Sequence, residues 1–175
     1  MISLLRGVNL GASKRLRMDG LREVYEAAGM RSVQTYVQSG NVVFKTASRD
    51  LAKLASRLED AVEARFGFRA AVVLRSLEEM QDVIARNPFA GRPGLEGSKL
   101  LVVFLQSGVT PDAVSQMNSG PEEVHLSGRE IYIYFPEGQG RSKLFGTVDK
   151  ALRGQTTARN WNTVMKLVDL GSALL

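Results

Sequence analysis

Apolar residues in this chain fall into short runs and into longer stretches of helical period. Residues 2–8 (ISLLRGV) form a short apolar run that predicts a buried strand, and GASKR (11–15) follows as a polar loop. Between 18 and 28, Leu21, Val24, Tyr25 and Ala28 recur at helical spacing, and Gly29 stands where a helix C-cap is expected. VQTYVQ (33–38) and VVFK (42–45) read as strands joined by the turn signal SGN (39–41), which makes a hairpin. Residues 50–66 carry Leu51, Leu54, Ala55, Leu58, Ala61, Val62 and Phe66 on one helical face, and Gly67 ends that helix. AAVVLR (70–75) predicts a fourth strand. The first half therefore reads β-α-β-β-α-β, a ferredoxin-like order.

A helix over 77–86 stops at Asn87-Pro88, because the residue before proline is disfavoured in helix. Phe89 to Ser98 is rich in glycine and proline, the best internal boundary along the chain. KLLVVFLQ (99–106) predicts a central strand. Pro111, after Thr110 as N-cap, opens a helix running to about Met117. EVHLS (123–127) and EIYIYF (130–135) flank Gly128-Arg129 as a second hairpin, and helices are expected over 142–152 and 158–170. The expectation is an α+β protein with duplicated β-α-β-β-α (ferredoxin-like) halves and a C-terminal helix. The first half with its linking helix covers 1–87, a connector 88–98, and the second half 99–175. The duplication lies in element order, not in residue-level repeats.

The 175 residues include 44% hydrophobic and 23% charged positions, an ordinary globular composition. The net charge of +5 is unevenly placed. Residues 6–17 hold Arg6, Lys14, Arg15 and Arg17 with no acid, and residues 141–166 hold six basic side chains against Asp149 alone. The rest of the chain is net acidic. Brought together by folding, the two basic segments make a cleft for anions; kept apart, they are two solvated surfaces.

Of four polar motifs, three overlap those segments and one, QSGN, lies apart from them in sequence. In LLRGVNLG (4–11), Gly7 and Gly11 let backbone amides approach a ligand, and Arg6 and Asn9 add donors, although a plain structural loop reads the same way. QSGN (38–41) suits a hairpin turn with Gly40 and Asn41 at positive φ, and it equally offers Gln38, Ser39 and Asn41 to an oxyanion. PEGQGRSK (136–143) places Arg141, Ser142 and Lys143 just before a helix, where unpaired amides favour phosphate, while Ser142 also fits a simple N-cap. TTARNWNTVMKL (156–167) reads as the start of the last helix. Thr156 or Thr157 would cap it, Arg159 and Asn160 would sit in its first turn, and Trp161, Val164, Met165 and Val168 would form its apolar stripe.

Other chemistries find little support. The chain has no cysteine and one histidine, so thiolate nucleophiles, disulfides and His-rich metal sites are excluded. Asp19, Glu137 and Asp149 show no paired-carboxylate spacing. Neither a GxGxxG fingerprint nor a Walker A motif occurs. Tyr132, Tyr134 and Phe135 lie along one strand without the RNP pattern that would mark a base-stacking sheet. No apolar stretch approaches the roughly 20 residues of a membrane span, so the expectation is a cytoplasmic protein without metal or cofactor.

LLRGVNLG, YVQSGNVVF (36–44), NPF (87–89), GRSKL (140–144) and TARNWNTVMKL (157–167), in this order, resemble an uncharacterised bacterial family known as domain of unknown function number 1697. The resemblance implies a small α+β protein of about this length with a ferredoxin-related duplication, and it implies no activity, substrate or catalytic residue. Where the family often has GGKN followed by a basic stretch, this chain has GASKR, which leaves Lys14 outside the site set. The residues expected to converge on a ligand are Arg6, Gly7, Asn9, Gln38, Ser39, Asn41, Lys143, Arg159 and Asn160. The expected ligand carries phosphate, either a nucleotide-like metabolite or a nucleic-acid segment. Two alternatives stay open: a phosphoryl- or acyl-transfer enzyme in which Arg159 and Lys143 stabilise developing charge, and a protein-interaction module whose motifs only set turns and caps.

Overall fold

The structure is a computed structural model that describes residues 1–10, 14–108, 114, 120–142, 144–152 and 156–175. Among these, eight strands and five helices form an α+β protein with two four-stranded antiparallel sheets. The chain divides into two compact units, Met1–Met80 with Leu167–Leu175, and Gln81–Lys166.

The first unit contains β1 (Ile2–Leu5), α1 (Met18–Ala27), β2 (Arg31–Tyr36), β3 (Asn41–Lys45), α2 (Leu51–Phe66) and β4 (Val72–Arg75). Its sheet order is β2-β3-β1-β4. The alternation of side chains decides which face each residue serves. Leu5, Val42, Phe44, Val72 and Leu74 pack with Leu21, Val24 and Tyr25 of α1 and Leu54, Leu58 and Val62 of α2. The α2 ends are set locally. The Asp50 side chain accepts the Lys53 amide at 3.0 Å, and Gly67 takes the left-handed conformation that closes the helix. Ile2, Leu4 and Val43, on the opposite face, are also fully buried. There a Cβ on Gly171 would lie 2.9 Å from Leu77 and 3.5 Å from Ile2, so only glycine lets the chain's last helix come this close.

α3 (Leu77–Ala85) leads out of the first unit. The second unit contains β5 (Leu100–Leu105), β6 (Glu123–Ser127), β7 (Glu130–Tyr134), α4 (Leu144–Ala151) and β8 (Thr156–Asn160), and α5 (Trp161–Ser172) returns the chain to the first. Its sheet order, β6-β7-β5-β8, repeats that of the first unit strand for strand. Leu101, Val103, Ile131 and Ile133 pack with Val124, Leu144 and Val148. On the other face Tyr132 is fully buried and its hydroxyl donates to the Val83 backbone oxygen at 2.6 Å. The expected helix over 111–117 lies outside the described residues, apart from Val114, which is helical and buried.

One element differs from the sequence expectation. Residues 156–160 are strand, not the opening of the last helix, and pair antiparallel with β5 from Leu101↔Asn160 to Leu105↔Thr156. Thr156 and Thr157 are β-branched and fit a pleated, half-covered surface better than a helix start. The helix cap is instead Asn160, whose Oδ1 accepts the Thr163 amide at 2.9 Å. Starting the helix at Trp161 also turns its apolar stripe. Val164 and Leu167 are fully buried, whereas Met165, expected in the stripe, is 40% exposed.

Candidate functional site

β3 runs antiparallel beside β1, so the exit of β1 and the entry of β3 lie at the same end of the sheet. The loop that starts at Arg6 and the turn over residues 37–40 are neighbours for that reason. The Leu5 amide donates to the Gly40 oxygen at 2.8 Å, which extends the ladder into the turn. Gly40 has φ +70°, and a Cβ there would stand 2.7 Å from both Leu5 Cβ and Val8 Cγ2. Glycine is thus required twice, by conformation and by space.

Two asparagines hold this junction. Asn9 has φ +56°, and its Nδ2 donates to the Leu16 oxygen and to the Gln38 oxygen, both at 3.0 Å. Its Oδ1 accepts the Leu16 amide at 2.9 Å, and its own amide donates to the Lys14 oxygen at 3.0 Å. The side chain therefore fastens the basic segment 14–17 to the turn. Asn41 is fully buried opposite Leu4 and Tyr36, and its Nδ2 donates to the Tyr36 oxygen at 3.1 Å and to Ser39 Oγ at 2.8 Å. Asn41 keeps strand geometry, contrary to the expectation of positive φ. The left-handed positions are Gly40 and, unexpectedly, Val37 at φ +48°. A β-branched residue in that region is a rare outlier.

Between loop and turn lies a cavity of about 390 Å³ lined by Asn9, Arg15, Leu16, Arg17 and Gln38. Leu16 is buried and anchors the segment, while Arg15 and Arg17 on either side of it are exposed. Arg17 donates to both Asp19 oxygens, at 2.7 and 3.1 Å, and this guanidinium holds the Asp19 carboxyl below its ordinary pKa. Of the residues expected at the site, Asn9 and Gln38 line the cavity. Arg6, Gly7 and Ser39 belong to the same two loops and Asn41 opens β3 beside them, none of them forming its wall. The Arg6 amide donates to the Ala71 oxygen at 2.9 Å, on the β4 side of β1. Gly7 has φ +65° with open space around it. Arg15 and Arg17 complete the wall. Their signal in the sequence is the acid-free basic run over 6–17, but no local motif marks them.

The remaining expected residues belong to the second unit. Lys143 lies outside the described residues. Arg159 is buried on β8 beside Val102, and donates at 2.7 Å to both Thr157 Oγ1 and the Ala158 oxygen. Burial pushes its pKa down to about 10, which leaves it cationic at neutral pH. Asn160 commits its amide oxygen to the cap of α5. Ser142 does act as a cap, accepting the Leu144 amide at 3.1 Å.

The aromatics of β7 and the residue after it offer no open stacking face. Tyr132 and Phe135 are buried, and Tyr134 packs against Phe89 and lies 4.7 Å beneath the Arg92 guanidinium. Exposed His125 meets the Phe89 ring edge-on at 5.2 Å. Among the described residues, no group of three or more His, Asp or Glu side chains is placed to hold a metal, and no helix is long and apolar enough to cross a membrane.

Taken together, the class is that of an α+β protein with a twice-used β2-β3-β1-β4 strand order and a cationic loop cavity at one sheet end. The family model described as "Protein of unknown function (DUF1697)" matches residues 1–132, and the chain belongs to that family. The conserved bacterial protein SP0830 from Streptococcus pneumoniae has a similar structure, with a TM-score of 0.72 at 21% identity, covering 97% of this chain and 96% of that one. That likeness is one of fold. No curated protein matches the chain.

Proposed function

We propose that this protein binds a phosphate-bearing ligand through the loop cavity of its first unit. The observation that carries the reading is the cavity wall itself. Two exposed arginines, Arg17 paired with Asp19, flank a buried leucine anchor and line the cavity together with Asn9 and Gln38, which one asparagine bond joins. Cations held on a fastened loop lose less freedom on binding than cations on a loose one. Arg15 supplies the charge, Arg17 being paired with Asp19, and Gln38 supplies a neutral donor. Asn9 and Asn41 position these groups. Arg6, Gly7 and Ser39 contribute the backbone course that brings the loops together. In the second unit, Arg159 is a further cationic position proposed for the same ligand chemistry. The matching strand orders also support reading both units as versions of one ferredoxin-like design.

Titrations with a nucleoside monophosphate and with a short oligonucleotide, at low and high salt, test the proposal. Binding by the wild type and at least tenfold weaker binding by Arg15→Glu are expected. A small ligand gives a shallow salt dependence and a nucleic acid a steep one. Absence of binding to every phosphate-bearing probe at low salt contradicts the proposal.

A further inference from the structure

Resting on that reading, we infer that the cavity favours a phosphate carrying a single negative charge, the phosphodiester, over the doubly charged end of a monoester, and that Asp19 sets this preference. The wall holds two cations, Arg15 and Arg17, and no acid. Asp19 stands just outside it, at the start of α1. Arg17 Nε donates to Asp19 Oδ1 at 3.1 Å, and Arg17 Nη2 donates to Asp19 Oδ2 at 2.7 Å. A guanidinium closes the same two-pronged grip on a pair of phosphate oxygens. An anion entering the cavity therefore meets Arg17 with its fork already taken and a carboxylate beside it.

That carboxylate is fixed in place and in charge. Its Oδ1 also accepts the Gly20 amide at 2.9 Å. The bonded Arg17 holds the carboxyl below its ordinary pKa, so it is ionised at neutral pH. The next acid on α1, Glu23, lies 3.8 Å from Arg65 of α2, which offsets its charge there. Asp19 is the acid bonded to the wall. Its effect depends on the charge of the ligand. Attraction to a fixed site grows in proportion to the anion's charge, whereas the cost of taking the anion out of water grows as the square of that charge. Asp19 cancels much of the attraction that Arg17 adds and none of the cost. The second charge of a monoester thus gains little from this wall.

The test uses one nucleoside monophosphate and its phosphate methyl ester, which differ by one charge at pH 8, on the wild type, Asp19→Asn and Arg17→Gln at low salt. The wild type is expected to bind the ester at least as tightly as the monophosphate. Asp19→Asn keeps the shape of the side chain and an oxygen for the Gly20 amide, without the charge. It should strengthen monophosphate binding about tenfold and ester binding about threefold, because the repulsion removed is proportional to ligand charge, and both gains should shrink in high salt. Arg17→Gln, which leaves the Asp19 charge unmatched, should weaken the monophosphate more than the ester. A short oligonucleotide separates the two sources of a diester: steeply salt-dependent binding, tighter than the ester's, means a strand, and binding no tighter means a small molecule. Both are diesters and both agree with the inference. Equal gains for the two ligands in Asp19→Asn, no gain, or a wild type that prefers the monophosphate overturns the inference while the anion-binding proposal stands. If the wild type binds neither ligand, the anion-binding proposal fails, and this inference with it.

Discussion

Asn9 Nδ2 reaches the backbone oxygen of Gln38 at 3.0 Å across 29 residues of sequence. With the bonds to both backbone groups of Leu16, it makes one amide side chain the fastening between the basic loop and the β2–β3 turn. Asn9→Ala removes all three bonds. The net loss for each is about 0.5–1.5 kcal/mol, so a total destabilisation of about 2–3 kcal/mol is expected in urea unfolding. Ligand affinity should fall as well, although Asn9 need not touch the ligand, because Arg15 and Arg17 lose their fixed course. A stability change within 0.5 kcal/mol, taken as about the spread for plain surface positions, would contradict this role.

Two glycines with nearly equal φ separate strain from space. Gly40 and Gly7 sit at φ +70° and +65°, yet only Gly40 meets neighbouring atoms, at 2.7 Å from Leu5 and Val8. Gly7→Ala is expected to cost about 1 kcal/mol for the left-handed backbone alone. Gly40→Ala adds a clash with buried side chains and should cost about 3 kcal/mol or more. Unfolding midpoints of the pair, measured side by side, check the ranking. Equal losses would place the Gly40 contact elsewhere.

High pH should unfold the protein through buried phenols. Burial raises the Tyr132 hydroxyl to about 12, and Tyr25, enclosed beside Ser3 at 2.6 Å, shifts in the same direction for the same cause. A folded-state pKa above the unfolded value near 10 means that the unfolded chain releases its protons first. These groups therefore add stability that is complete below about pH 10 and declines as pH rises through the folded-state values. Absorbance at 295 nm should show two of the four tyrosines ionising together with unfolding. All four titrating near pH 10 with the fold intact would contradict their burial.

The strand-to-helix junction at residue 160 gives a further prediction. Asn160→Ala should cost about 1 kcal/mol through loss of the Thr163 cap, whereas Asn160→Asp should retain most of it. Thr157→Ala should not behave as a cap mutant, because Thr157 lies in β8 opposite Phe104. The reverse ranking would restore a helix start at 156–157.

Most of the fold is legible in the sequence because period and punctuation agree. α2 shows this: its apolar spacing, Asp50 cap and Gly67 terminator all specify one helix. β8 escaped because TTARN is a short polar strand joined to a helix without a loop. Its Thr- and Asn-rich composition imitates an N-cap region. The site was legible only in part. Gln38 and Asn9 announce themselves beside glycines, but the roles of Asn9 and Asn41 depend on which carbonyls face them after β1 and β3 pair. Arg15 and Arg17 flank the buried Leu16, but other surface arginines also flank buried residues, Arg57 beside Leu58 and Arg22 beside Leu21 among them, so nothing local sets them apart. The left-handed Val37 contradicts its own preference for strand, so local sequence points away from it.

The most direct test of the anion site is an NMR titration of the wild-type protein with inorganic phosphate and a nucleoside monophosphate at low salt. The expected result is saturable shifts confined to the Asn9 side-chain amide, the Arg15–Arg17 amides and the Gln38 amide, abolished in Arg15→Glu. Saturable shifts that leave these signals unmoved and gather on other loops, or no shifts with either ligand, would contradict the assignment of the cavity.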